Sequence, residues 1–455
     1  MNTLLGYGIT RDLMQRKLRE HHNREDIFLA ESDFSSNILH LRKDPETKIE
    51  YEIHGVKVKY RMGADIIEEK YIAKTRFHPR EEFIYALGLE TIPEKKALVV
   101  TKRDRPKKGT ARVLFMADVG DISLEQIILT DYPGIRDIFR QIPHTLAYTH
   151  KKISDMLKNL SIRKNTKKHY ASKFESHITP IIDCHAKKSG NPTFLDDNER
   201  NEFFRKLSFN FEFIGEAFER GTLIKGNNGN YEGTQLVIGH TDLHPGHIYS
   251  KKFNTKEKIE WNDLKIIDFR PGIIPWYFDF VDVFDYPSTL KNIRFTEAEI
   301  KYHLKEYLIN KARVGEFVQP ETRMLGIVPT TTRFIIPKEF EEDVFSMYQL
   351  SSFARSIRGA SKALLMKKLF SNRPEIYERF YSQKNPLYKH HPAIYLLNAR
   401  DQLKAYARIN PKANQLIETL GEKIHEFRDK KTLDEYFSDI NGNKCNDLAY
   451  YACNG

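Results

Sequence analysis

The chain has 455 residues, 40% of them hydrophobic, 12% aromatic and 30% charged. This is globular usage with too little Gly and Pro for a fibrous or disordered chain, and the length suits about three domains or one large two-lobed enzyme. Its 73 basic and 62 acidic residues leave a formal charge of +11, which favours anionic partners such as nucleotides, phosphorylated molecules or nucleic acid without choosing among them. No run of 18 apolar residues occurs and the first turns of the chain are charged throughout, so neither a membrane span nor a secretory signal is expected.

From about Phe28 to Arg76 the pattern predicts a small antiparallel sheet. IEYEI and VKVKYR alternate on either side of His54-Gly55, read as a turn, and KYIAKTR adds a β-branched and aromatic run with Lys74 central in it. HPREEFIYALGL places Phe83, Ile84 and Leu87 at helical spacing, and KALVV at 96–100 and ARVLFM at 111–116 return to strand. After about residue 121 the chain becomes mainly helical: ISLEQIIL is followed by a long segment from Ile135 to Leu160 with apolar residues at three and four. A basic stretch at 162–173 precedes a helix near 197–220, whose stripe Phe204, Leu207, Phe211, Ile214 and Phe218 stops at Gly221. GNNGNYEG at 226–233 reads as a loop. Two short apolar strands, TQLVIGH at 234–240 and LKIIDF at 264–269, each deliver polar residues at their ends, where chemistry usually sits. Beyond Val283 helices resume, with a Thr296/Glu299 capping box before EAEIKYHLKEYL and an amphipathic stretch from Lys338 to Phe370.

Cys184, Cys445 and Cys453 form an odd set without CxxC spacing, so neither a disulfide framework nor a cysteine zinc site is expected, and a reducing cytoplasm is the default location. The basic runs Lys151 to Lys173 and Lys384 to Lys412 read as solvated helix faces rather than an RNA surface. In the second, Tyr388, Tyr395 and Tyr406 recur at spacings that also describe a core stripe.

The densest polar constellation is His240-Thr241-Asp242-Leu243-His244-Pro245-Gly246-His247, placed just after a strand, with Asp268 following in IIDF. Two carboxylates on adjacent strand ends suit phosphoryl transfer, which needs one for a hard metal ion on the phosphates and one for the incoming hydroxyl. HTDLHPGH, IIDF and the later Asp279 in PWYFDF resemble the catalytic core of the aminoglycoside phosphotransferase-like family of small-molecule kinases, with its H-G-D-L-H-x-G-N and I-D-F signature. The likeness is strongest over residues 236–284.

That resemblance implies a two-lobed protein-kinase-like α+β fold. A β-rich nucleotide-binding lobe would span 1–117, a helical lobe with the catalytic loop and metal-binding strand 118–320, and a helical extension 321–455, with ATP between the lobes. It implies that Asp242 positions the acceptor hydroxyl and takes its proton, that His240 and His244 shape the loop, and that Asp268 binds magnesium. Asp279 would brace the catalytic loop through its backbone. Lys74 would hold the α- and β-phosphates, fixed by Glu82 or its neighbour Glu81, and the segment Met116, Ala117 to Val119 would line the adenine pocket. His247 stands where the family has a metal-binding Asn. Either Asp268 and phosphate oxygens alone hold the metal, or His247 accepts a softer ion such as manganese, or the site is impaired. Neither G-x-G-x-x-G nor G-x-x-x-x-G-K-[ST] is present, which leaves only the turn at His54-Gly55 to cover phosphates.

The expected activity is therefore ATP-dependent phosphorylation of a hydroxyl-bearing small molecule. The competing readings are a kinase-like module that binds nucleotide or a partner without transfer, and a metal-dependent hydrolase built on His240, Asp242, His244 and His247. The hydrolase leaves Lys74 and Asp268 unexplained. The sequence specifies neither the acceptor nor the oligomeric state.

Overall fold

The computed structural model describes residues 10–29, 34–43, 50–75, 98–101, 112–130, 132–156, 224–225, 231–232, 236–255, 257–269, 271–291, 293, 295–313, 323–328, 331–335, 341–353, 355–356, 392–408, 410–418 and 420. The predicted helices at 78–89 and 197–220, the carboxylates Glu81 and Glu82 and the three cysteines lie outside the described residues. The chain divides into two compact units. One comprises Met1–Ile127, Arg136–Leu160 and Gly246–Pro271, and the other Ile128–Ile135, Ser161–Pro245 and Gly272–Gly455.

In the first unit an N-terminal helix, α1 (Arg11–His22), precedes an antiparallel sheet of β1 (Ile27–Phe28), β2 (Phe34–Lys43), β3 (Glu50–Met62), β4 (Asp65–Lys74), β5 (Leu98–Thr101) and β6 (Arg112–Ala117). The strand order is β1-β3-β4-β6-β5, with β2 also on β3. Alternation fixes the register, because a one-residue slip would turn every core side chain to water. Val56, Val58 and Tyr60 of β3 are buried while Lys57, Lys59 and Arg61 between them are exposed, and Tyr71 and Ala73 of β4 with Val113 and Phe115 of β6 extend the same core. Met14 and Leu18, one helical turn apart, bury α1 against these residues, and the Tyr60 hydroxyl meets His22 Nε2 at 2.9 Å.

His54-Gly55 is not a turn. β3 runs through it without a break, with His54 opposite Ala73 and Gly55 opposite Ile72, and His54 is fully buried. The reversal comes later at Gly63, whose φ of +64° suits a residue without Cβ. The alternation is uninterrupted across 54–55, and the isolated Gly there is tolerated as a strand residue rather than marking a reversal. Residues 54–55 are accordingly removed as a phosphate cover. Lys74 is the last residue of β4 rather than a central one.

Two helices follow, α2 (Leu124–Leu129), which the division between the units crosses after Ile127, and α3 (Ile135–Met156), which lies in the first unit from Arg136 on. On α3, Phe139, Ile142, Leu146 and Ile153 are buried, and Thr145 donates its hydroxyl to the Trp261 carbonyl at 2.8 Å while His144 stacks on the Trp261 ring. α3 thereby anchors the segment that carries Asp268.

In the second unit, β7 (Ile224–Lys225) pairs with β8 (Tyr231–Glu232), so the part of the expected 226–233 loop at 231–232 is strand. β9 (Leu236–Gly239) pairs with β12 (Gly272–Pro275), whereas β10 (Ile248–Tyr249) pairs with β11 (Lys265–Ile266) in the first unit. The two apolar strands read from sequence are thus not neighbours in one sheet. α4 (Phe278–Lys291) and α5 (Glu297–Arg313) follow, α5 opening on the expected box: the Thr296 amide donates to Glu299 Oε2 at 2.8 Å and the Glu299 amide to Thr296 Oγ1 at 3.2 Å. The ring of Trp276, just before α4, stacks on Tyr307 of α5 at 4.3 Å, and both are buried. A hairpin of β13 (Arg323–Val328) and β14 (Thr331–Ile335), a helix α6 over 341–353 and 355–356, and α7 (Pro392–Ala407) complete the described elements.

The architecture is α+β, with an antiparallel sheet in the N-terminal region and mainly helical structure after it. Among the described residues no helix is long and apolar enough to cross a membrane.

Candidate functional site

The first unit brings Lys74 to Asp268, 194 positions apart in sequence, as an ion pair through Asp268 Oδ1. Two short strands place the carboxylate. β10 and β11 pair Ile248 with Ile266, and just beyond them the Ile267 amide donates to the His247 carbonyl at 2.9 Å. This register sets His247 beside Asp268, with Nε2 at 3.6 Å from Oδ2. Asp268 has φ +55°, an unusual left-handed conformation for a residue with a Cβ, and buried Phe269 follows it into the core. β6 ends at Met116 and Ala117, with Met116 and the following Val119 both buried.

The second unit holds the HTDLH loop. It leaves β9 at Gly239, where a Cβ would come within 2.7 Å of Asp279 Oδ2 and 2.6 Å of Ile274 Cδ1, so only glycine allows so close an approach. Asp279, in the first turn of α4 and 1% exposed, accepts the His240 amide on Oδ2 at 2.8 Å and the Thr241 amide on Oδ1 at 3.2 Å. Both carboxylate oxygens are therefore engaged in bracing the loop backbone. Thr241 has φ +63°, and the Asp242 amide then donates to His240 Nδ1 at 3.3 Å. His240 is fully buried. Burial pushes the His244 imidazole down to about 4, against the opposing pull of Asp282 and Asp242, so it is neutral at physiological pH.

Asp242 does not stand by itself. Arg355 of α6 donates Nε to Asp282 Oδ1 at 2.5 Å and its terminal NH2 to Asp242 Oδ1 at 3.2 Å. One turn along α4, Asp285 accepts the Tyr348 hydroxyl at 3.0 Å and the Ser352 hydroxyl at close range. Burial pushes the Asp285 carboxyl up to about 7, although both hydroxyl bonds oppose the shift. The sequence reading did not find Asp282, Asp285, Tyr348, Ser352 or Arg355. A signal was present: Asp279, Asp282 and Asp285 recur every third residue within the otherwise apolar FDFVDVFD, and carboxylates on one strip of a buried helix require partners.

The Asp285 shift sets a pH dependence. Its folded value lies above the ordinary carboxylate value, so between about pH 4 and 7 the folded chain retains a proton that the unfolded chain releases. Stability consequently falls as pH rises across that window and levels off above it. Asp285→Asn keeps an acceptor for Tyr348 and removes the titration. The variant is expected to match the wild type in melting temperature near pH 4.5 and exceed it by roughly 2–4 °C at pH 8. An identical pH dependence in the two proteins would contradict this account.

Among the described residues no three His, Cys, Asp or Glu side chains converge as a metal cage. His240, Asp242, His244 and His247 are instead divided: His240 is turned to the Asp242 amide and His247 to Asp268, so they do not form the four-ligand zinc site of a hydrolase.

No protein-family model matches the sequence, and no curated protein matches it. In structure the chain is similar to a Plasmodium vivax ethanolamine kinase, at 12% identity and TM-score 0.42 over 88% of this chain and 89% of that one. It is also similar to the spectinomycin phosphotransferase APH(9)-Ia in complex with ADP and spectinomycin, at 12% identity and TM-score 0.40 over 90% and 98%. A third similar structure is a macrolide 2'-phosphotransferase from Brachybacterium faecium, at 8% identity and TM-score 0.33 over 81% and 97%. All three are named as kinases or phosphotransferases.

Proposed function

We propose that this chain is an ATP-dependent phosphotransferase that moves the γ-phosphate to a hydroxyl of a small-molecule acceptor in the cytoplasm. The observation that carries the reading is the Lys74–Asp268 ion pair. A strand-end lysine and the carboxylate of an IIDF segment, far apart in sequence, meet as an ion pair, which supports a shared site for phosphate and metal.

In this reading Lys74 neutralises charge on the α- and β-phosphates, and Asp268 is the residue that would hold a divalent ion beside them. The donor set suits such an ion: Asp268 supplies hard carboxylate oxygen, and His247 at 3.6 Å offers a nitrogen better matched to manganese than to magnesium. A bound metal would offset the negative charge that builds up on the phosphates during transfer. Met116, Ala117 and Val119 offer the base a backbone edge. Asp242 orients the acceptor hydroxyl and accepts its proton as the oxygen attacks the γ-phosphorus. His240, His244 and Asp279 hold the loop that carries it. Positioning and charge neutralisation supply most of the acceleration.

The test is thermal melting of the full chain with ATP alone, ATP plus magnesium, and ATP plus manganese, for wild type and Asp268→Ala. A ligand present at a hundred times its dissociation constant stabilises by about 2.7 kcal/mol, so the wild type is expected to melt several degrees higher with metal and ATP, and Asp268→Ala to lose that shift. A wild type that melts at the same temperature in every condition would refute the nucleotide site.

The His247 substitution supports a second reading, a module that binds nucleotide without transferring phosphate. A metal-dependent melting shift with no ATP turnover would favour it.

A further inference from the structure

We propose that Arg355 is a positioning residue for phosphoryl transfer, which fixes the Asp242 carboxylate by sharing one guanidinium between Asp242 and Asp282; the inference rests on the phosphotransferase reading above. The starting point is the helix that supplies the anchor. α4 is immobilised by its apolar side, where Phe280, Val283 and Phe284 are buried and Phe280 stacks on Phe284. Its carboxylates divide three tasks: Asp279 holds the loop backbone, Asp282 holds Arg355 and Asp285 holds Tyr348 and Ser352.

Tyr348, Ser352 and Arg355 lie at i, i+4 and i+7 of α6, on one face of the helix. The two hydroxyl bonds to Asp285 fix the register of α6 against α4, and that register delivers the guanidinium to Asp282 and Asp242. Nε and a terminal nitrogen both engage Asp282, Nε at 2.5 Å from Oδ1 and the terminal nitrogen on Oδ2, and that same terminal nitrogen reaches Asp242 Oδ1 at 3.2 Å. A planar guanidinium can serve both at once, whereas an ammonium lacks the rigid fork. Removing the cation would leave two carboxylates facing each other across the vacated space. Asp242 would then rotate away from the direction in which an acceptor must approach. The loop backbone would remain braced by Asp279, so the fault would lie in the side chain alone.

This assignment predicts a specific kinetic pattern, readable without a known acceptor because water can stand in. In that reaction a water oxygen bonds to the γ-phosphorus as the bond to the β,γ-bridging oxygen breaks. ADP and inorganic phosphate leave, and the water proton passes to Asp242. The experiment measures magnesium-dependent ATP hydrolysis by the full chain for wild type, Arg355→Ala and Arg355→Lys, with melting temperatures and with free guanidinium added at millimolar levels. Misplacing a reacting group by about 1 Å costs on the order of a hundredfold. Arg355→Ala is therefore expected to lose roughly 10- to 100-fold in kcat with the KM for magnesium-ATP unchanged. Arg355→Lys should recover part of the loss, and guanidinium should restore Arg355→Ala saturably without stimulating the wild type.

Unchanged kcat in Arg355→Ala would overturn the inference and leave the phosphotransferase reading standing. Parallel loss of kcat, nucleotide affinity and melting temperature in both variants would also overturn it, by reducing Arg355 to a structural tie. Should Arg355→Ala fail to fold, Arg355→Lys decides alone: kcat lowered at constant KM supports the assignment, and wild-type kcat refutes it. A wild type that hydrolyses no ATP would remove the underlying reading and the inference with it.

Discussion

Asp242→Asn is expected to lower phosphoryl-transfer turnover about a thousandfold while leaving the metal-dependent ATP melting shift intact, since a positioned general base contributes roughly 10²- to 10⁴-fold. The substitution is nearly isosteric. Its amide oxygen still accepts from Arg355, whose stronger partner Asp282 is untouched, so the cation keeps a counter-charge. The Asp242 backbone amide also remains bonded to His240 Nδ1. Only the capacity to take the acceptor proton is lost, so the cost falls on kcat and not on folding or nucleotide affinity. ATP consumption and melting curves on the same preparations measure both halves. Wild-type turnover in Asp242→Asn would remove this residue from the chemistry and with it the meaning assigned to the loop.

Asp279→Ala is expected to be the most destabilising single change in the loop, by roughly 3–5 kcal/mol. The carboxylate is almost wholly buried and each oxygen satisfies a different amide, those of His240 and Thr241. Deleting it strands the buried His240 amide and the partly buried Thr241 amide. It also releases Thr241, which is held in the left-handed region at φ +63°. A β-branched residue does not stay there unless its surroundings over-determine it. Denaturant unfolding measures the stability loss, and turnover should fall with it because Asp242 follows directly. A loss under about 1 kcal/mol would mean that the bond pair is not what holds the loop.

Which parts of this could be read from sequence follows from how local each signal is. The strands of the first sheet were legible because period-two alternation is written directly in Val56, Val58 and Tyr60. The Thr296/Glu299 box was legible because both partners sit within four residues. The role of Asp279 came through resemblance, and the two amide bonds to its carboxylate are the geometry that such a brace requires. The His54-Gly55 turn was misread because a glycine was given more weight than an unbroken pattern. The Lys74–Asp268 pair brings together two residues singled out separately, but no local pattern pairs residues 194 positions apart. Arg355 was invisible for the same reason: an arginine in an amphipathic helix resembles any solvated charge until the carboxylates on α4 are placed next to it.

The make-up of the first unit has a consequence for biosynthesis. Its sheet and α3 are synthesised early, but its remaining piece, Gly246–Pro271, emerges only after roughly 110 further residues have passed since Leu160. At cellular elongation rates that interval is on the order of 10 s. The carboxylate that pairs with Lys74 is on the late piece, so a nascent chain stalled or cleaved before Asp268 carries a sheet whose strand-end lysine lacks that counter-ion. The unit cannot mature in the order in which it is translated, and a chaperone that acts before residue 271 is complete would meet a long-lived, incompletely closed intermediate rather than a finished domain.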